Sequence, residues 1–130
     1  MIFNALALTL TLLASTTLAT PTSLDKRYSV TCGDNGGGYV SVSEAQSCVN
    51  YLYAKGTTAC TVNGENTVFC TAGSTKIYGS NINLVNNPSS YCRDVAAGAQ
   101  AIIDGCTQGG TVAGSNAAAG NGDIIVSINH

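Results

Sequence analysis

The chain has 130 residues, of which five are Lys or Arg and seven are Asp or Glu, for a formal net charge of −2. With charged residues at only 9% and no basic cluster beyond one Lys-Arg pair, the composition argues against a nucleic-acid phosphate binder and against electrostatic attachment to anionic lipid. Hydrophobic residues at 45% argue against disorder, which requires low hydrophobicity.

The leader "MIFNALALTLTLLASTTLAT" carries an apolar stretch from Ala5 to Leu18. That is shorter than the roughly 20 residues a helix needs to span a bilayer. Small residues at Thr17 and Ala19 fit a signal peptidase, so residues 1–19 read as a secretory signal peptide cut after Ala19. Residues 20–27 then form a propeptide ending in the dibasic pair Lys26-Arg27, whose cleavage frees Tyr28. The remaining residues 28–130 make one small domain, destined for the extracellular space. A chain of that size buries only about two-thirds of its unfolded surface, so its core is modest. All six cysteines lie within it: Cys32, Cys48, Cys60, Cys70, Cys92 and Cys106. An even count in a short secreted chain reads as three disulfides, with fifteen possible connectivities. Its acidic residues (Asp34, Glu44, Glu65, Asp94, Asp104, Asp123) outnumber its basic ones (Lys55, Lys76, Arg93), so maturation leaves it more acidic than the full chain.

In chain order, "YSVTC" is a short β-prone run ending at Cys32, followed by the turn "GDNGGG". "SVSEAQSCVNYLYAKG" predicts a helix. Ser41 with Glu44, and Ser43 with Gln46, have capping-box spacing, and Ala45, Cys48, Val49 and Leu52 recur on one face before Gly56 ends it. "TTACTV" and "TVFCT" flank "NGEN", a hairpin signature. A three-residue loop would set Cys60 opposite Cys70, within bridging range; a four-residue loop would set Phe69 there. The alternative is that both cysteines point at the helices. A short strand near 75–78 and an Asn-rich loop follow.

"SSYCRDVAAGAQAIIDGC" predicts a second helix with Cys92, Val95, Ala96, Ala99, Ile103 and Cys106 on one stripe and Ser89 or Ser90 as cap. Gly98 in its interior costs about 1 kcal/mol relative to Ala, which points to close packing against a sheet. "GTVAG" and "GDIIVSIN" read as two strands joined by "SNAAAGN". The last is nearly all apolar, as a central strand covered on both faces should be. The fold expected is α+β: a small disulfide-stabilised α/β sandwich, with an antiparallel sheet of four or five strands and two helices on one face.

Chemistry is hard to find. His130 is the only histidine and ends the sequence, a position that usually frays. Hydrolytic triads and Cys–His pairs therefore lack a usable base. No Cys-x-x-Cys occurs, which argues against zinc and redox motifs. Asp94 and Asp104 stand about 15 Å apart along the second helix, too far to act as a pair. Glu65, Asp34 and Asp123 occupy turn or strand-start positions, where acidic residues serve local hydrogen bonding. No catalytic residue, metal ligand or cofactor is therefore assigned, and the protein is expected not to be an enzyme. The six tyrosines stand out instead. Tyr51 and Tyr53 lie off the apolar line of the first helix, and Tyr39, Tyr78 and Tyr91 sit at or near loops among Ser, Asn and Gly, a composition common in protein recognition surfaces.

The layout of signal peptide, "KR" site, β-α-β-β-α-β order, cysteines within both helices and Gly-led apolar last strand resembles the virus-encoded killer toxins of smut fungi. It is also similar to the small secreted effectors of plant-associated ascomycetes. The resemblance spans most of Tyr28 to His130 and rests on layout and on "SSYCRDVAAGAQAIIDGC". It implies a non-enzymatic secreted protein, matured by a kexin-like protease, that acts on a host or competing microbe. The partner expected is a protein or cell-surface target, and the protein is expected to be monomeric. Channel-directed members are basic, whereas this chain is acidic. A fainter resemblance links "VTCGDNGGGYVSVSEAQSCVNYLYAKG" to fungal guanyl-specific ribonucleases. It implies the alternative of a small extracellular hydrolase or a catalytically inactive ribonuclease-like effector; the active enzymes need a histidine-and-glutamate centre on a sheet.

Overall fold

The last strand is the axis of the molecule. In the computed structural model, which describes residues 29–33, 37–82, 86–120 and 123–130, all six residues of Ile124–Asn129 are buried. This strand is β9. It pairs antiparallel with Thr75–Asn81 (β5) on one side and Gly114–Ala117 (β8) on the other. Asn66–Ala72 (β4) lies outside β5 and Thr31–Cys32 (β1) outside β8, giving an antiparallel sheet in the order β1-β8-β9-β5-β4. The central place of β9 explains why it is mostly apolar and wholly buried, since both of its faces leave water.

One face of β9 presents Ile124, Val126 and Ile128 to the hydrophobic core, joined there by Ile77 of β5. Val42–Ala54 (α1) and Cys92–Cys106 (α2) pack on that face. Helix α1 buries Ala45, Cys48, Val49 and Leu52, the stripe expected from its spacing, and its Glu44 N–H donates to Ser41 Oγ at the N-terminus. Helix α2 buries its predicted stripe together with Gly98 and Ile102. The helices run antiparallel, and Gln46 and Gln100 exchange two amide hydrogen bonds between them. On the other face, Ile125, Ser127 and Asn129 alternate with the core set. Asn129 Nδ2 donates to the Tyr78 hydroxyl at 3.0 Å, and Gly37 lies so close that a Cβ would stand 2.7 Å from Asn129 Cγ. No helix among the described residues is long and apolar enough to cross a membrane.

Each disulfide ties a helix to a strand. Cys48–Cys70 joins the middle of α1 to β4, and Cys32–Cys106 joins β1 to the last residue of α2. Cys60–Cys92 joins Ala59–Thr61 (β3) to the first residue of α2. The Cys60–Cys70 bridge considered from the hairpin register does not form. The reason is that β3 does not pair with β4: it pairs with Ser89–Tyr91 (β6), with Cys60 opposite Ser90. The "NGEN" turn bends the chain without building a ladder, and the hairpin forms one element later, between β4 and β5. A bulge between Val68 and Cys70 lets Phe69 and Cys70 both pack towards the core.

Other expectations also shift. Ser89 and Ser90 are strand residues and do not cap α2, whose N-cap is Tyr91 without a side-chain hydrogen bond. The short strand expected near 75–78 extends to Asn81. "SNAAAGN" is not all loop, because Ser115 to Ala117 belong to β8, whereas Thr111–Val112 (β7) pairs separately with Val40–Ser41 (β2). Ala19, Lys26 and Arg27 lie outside the described residues.

Candidate recognition surface

The end of α1 and the start of α2 are brought together by backbone chemistry. After Ala54 the chain turns through Gly56, whose φ of 57° suits a residue without a Cβ, and its N–H donates to Tyr53 O. The next carbonyls then serve the other helix. Thr58 O accepts from Cys92 N at 2.8 Å and Gly56 O accepts from Arg93 N at 3.0 Å. Two donors that a helix start leaves unsatisfied thus find partners in the turn, which replaces the missing side-chain cap. The β3–β6 ribbon and the Cys60–Cys92 disulfide hold the junction from the other side.

This geometry sets the Arg93 backbone against Gly56, the residue after Lys55, so two of the three basic residues in 28–130 flank the junction. Each cation lies over a tyrosine. Lys55 Nζ is 5.1 Å from the Tyr51 ring centroid and donates to its hydroxyl at 3.3 Å, while the Arg93 guanidinium is 5.2 Å from the Tyr91 ring. Tyr51, Tyr53 and Tyr91 each leave about half of their surface in water (50%, 45% and 48%). Aromatic rings carrying cations combine apolar area with positive charge, a pairing suited to binding.

A cleft flanks each cation-bearing tyrosine. The one beside Tyr91, of about 350 Å³, is lined by Ala59, Ser89, Ser90, Tyr91, Asp94 and Gly120. Asp94 stands in the first turn of α2, where its charge complements the helix dipole. Its carboxylate makes no hydrogen bond or ion pair with a described residue, and Gly120 packs close enough that a Cβ would lie 3.0 Å from Oδ2. Ser90 is 7% exposed, and its buried Oγ has no hydrogen-bond partner. The cleft beside Tyr51, of about 410 Å³, lies between α1 and β4, with the Cys48–Cys70 pair and Phe69 in its wall and no charged group.

The acidic residues singled out in the sequence do not converge. Asp104 accepts from Gln100 Nε2 at 3.0 Å on the exposed side of α2, and Glu65 and Asp123 sit beside strand starts. Glu44 instead binds the hydroxyl of buried Thr75 at 2.9 Å, tying α1 to the β4–β5 turn. Asp34 lies outside the described residues. His130 is exposed, with its backbone N–H donating to Gly38 O. Among the described residues no three His, Cys, Asp or Glu side chains are grouped to hold a metal ion. The sequence pointed to the tyrosines but not to the Gly56–Arg93 contact, which puts both cations at one junction, nor to the cleft lined by Asp94 and Ser90. The i, i+4 spacing of Tyr51 and Lys55 was a legible signal; the rest depends on contacts distant in sequence.

A family model described as Domain of unknown function (DUF8794) matches residues 27–130, a span that includes every described residue. No curated protein matches the chain.

Proposed function

The chain belongs to the DUF8794 family, and we propose that it is a secreted effector, killer-toxin-like, that acts by binding a target on a host or competing microbe outside the producing cell. The observation that carries this reading is the junction of α1 and α2, where three half-exposed tyrosines and two cations gather at one end. The three disulfides support it, because a surface held by cross-links loses little freedom on binding. Disulfides are also typical of extracellular proteins. The placement of both helices on one face agrees with the toxin-like resemblance better than with the ribonuclease-like one, which implies one long helix against a curved sheet.

The test is surface binding. Fluorescently labelled, disulfide-intact protein is incubated with intact fungal, yeast and plant cells. Saturable binding to at least one cell type, reduced about tenfold or more by combined Tyr53→Ala and Arg93→Ser replacement, is the expected result. Absence of saturable binding, or turnover of RNA abolished by replacing a single carboxylate, overturns the proposal.

A further inference from the structure

The outer edge of β4 runs beside the cleft of about 410 Å³ between this strand and α1. From that juxtaposition we infer that the protein takes an extended segment of another protein, added as a further strand along β4. The segment sets apolar side chains into the cleft and a carboxylate beside Lys55. The inference names the kind of partner for the α1 side of the surface proposed above and rests on that reading.

Strand β4 ends the five-stranded sheet, and no strand among the described residues pairs with its outer side. Asn81 N–H donates to Glu65 O at 2.9 Å, so the alternation of an antiparallel ladder turns the N–H and C=O of Asn66 and Val68 away from β5. Val68 is 50% exposed there. Edge strands are commonly guarded by a charge or a proline, and Asn66–Ala72 has neither. Such an edge accepts an added strand through main-chain hydrogen bonds, and pockets for alternate side chains supply the selectivity. The cleft is such a pocket. The rings of Tyr51 and Phe69, the methyl of Ala72 and the Cys48–Cys70 disulfide line it, and no charged group does.

Charge then narrows the partner. The two ends of the cleft differ in sign: the Glu44 carboxylate lies against Gly73 at one end, and Lys55 Nζ reaches the Tyr51 hydroxyl at the other. Glu44 already holds the Thr75 hydroxyl, whereas Lys55 pairs with no carboxylate among the described residues. An incoming strand with an acidic residue at the Lys55 end therefore complements the cleft. A second copy of this chain does not. Pairing two β4 edges about a two-fold axis brings the start of one strand to the end of the other, which sets Glu65 towards Glu44 rather than towards Lys55. The bulge at Phe69 also bends β4 away from a long, flat pairing with itself.

The experiment selects phage-displayed random decapeptides on the disulfide-intact secreted protein, then synthesises the most enriched sequence and titrates it by amide NMR. That sequence should carry apolar residues at alternate positions together with an Asp or Glu. Shifts should centre on residues 47–51 and on Asn66–Ala72, with exchange of the Val68 amide slowed about tenfold or more. Val68→Pro, which removes an outward donor, and Lys55→Glu should each weaken binding about tenfold or more. Replacing the acidic residue of the peptide by Lys should restore binding to the Lys55→Glu protein. Tyr39→Ala, an exposed tyrosine elsewhere, should change binding less than about twofold. Lys55 is exposed, so its variant remains informative even if Val68→Pro unfolds. Failure to enrich any sequence, shifts centred away from β4, or binding indifferent to Lys55→Glu overturns the inference, as does self-association through β4 in place of peptide binding. If cells are bound while no peptide is, only strand addition falls; if neither is bound, the binding function falls with it.

Discussion

Gly98 and Gly105 sit in the same helix, and replacing each with Ala should move stability in opposite directions. Intrinsic propensity favours both changes, because Gly in a helix interior costs about 1 kcal/mol relative to Ala. At Gly98, however, an added Cβ would stand 2.7 Å from the backbone oxygen of Ala117 in β8. Neither side can yield cheaply. β8 is fixed in the sheet by β9, and Asn116 beside it already donates to Gly98 O at 3.3 Å. Overpacking against such a neighbour costs about 1–3 kcal/mol. Towards the upper end of that range, and after subtracting the propensity gain, Gly98→Ala should lose about 1.5 kcal/mol. For a domain near 100 residues that lowers Tm by roughly 6–12 °C. Gly105 is exposed, and its Cβ would meet only Val30 at 3.8 Å, so Gly105→Ala should gain about 0.5 kcal/mol. Calorimetry and urea unfolding of the two variants provide the assay. A Gly98→Ala protein as stable as the wild type would refute the argument that α2 is held against β8 at contact distance.

Removing the Cys48–Cys70 bridge by paired Ala replacement should cost about 3 kcal/mol, the loop-entropy value for a separation of 22 residues, read from the urea midpoint. Glu44→Ala leaves the buried Thr75 hydroxyl without its acceptor and should cost about 1–3 kcal/mol. Glu44→Gln, which keeps an acceptor oxygen, should cost clearly less in the same assay. Finally, intact mass spectrometry of the secreted protein should give a species beginning at Tyr28. A species beginning at Thr20 would show that Lys26-Arg27 is not processed.

Helical periodicity made the buried stripes of α1 and α2 legible in the sequence, down to Ala45, Cys48, Val49 and Leu52, because the side of a helix that faces a core is a local property of spacing. The apolar run of β9 likewise announced a strand covered on both faces, and Gly98 announced a close approach to the sheet. Composition and cysteine parity called for cross-links in a small core. What the sequence alone left open was partnership. "NGEN" looked like the turn of a β3–β4 hairpin, yet β3 pairs with β6, a choice made by the α1–α2 junction and the Cys60–Cys92 bridge. The same junction set Arg93 against Gly56, one residue after Lys55, and placed Asp94 and Ser90 around one cleft. Periodicity reports which way a side chain points. Only packing between distant segments decides what it meets, and the candidate site is built entirely from such meetings.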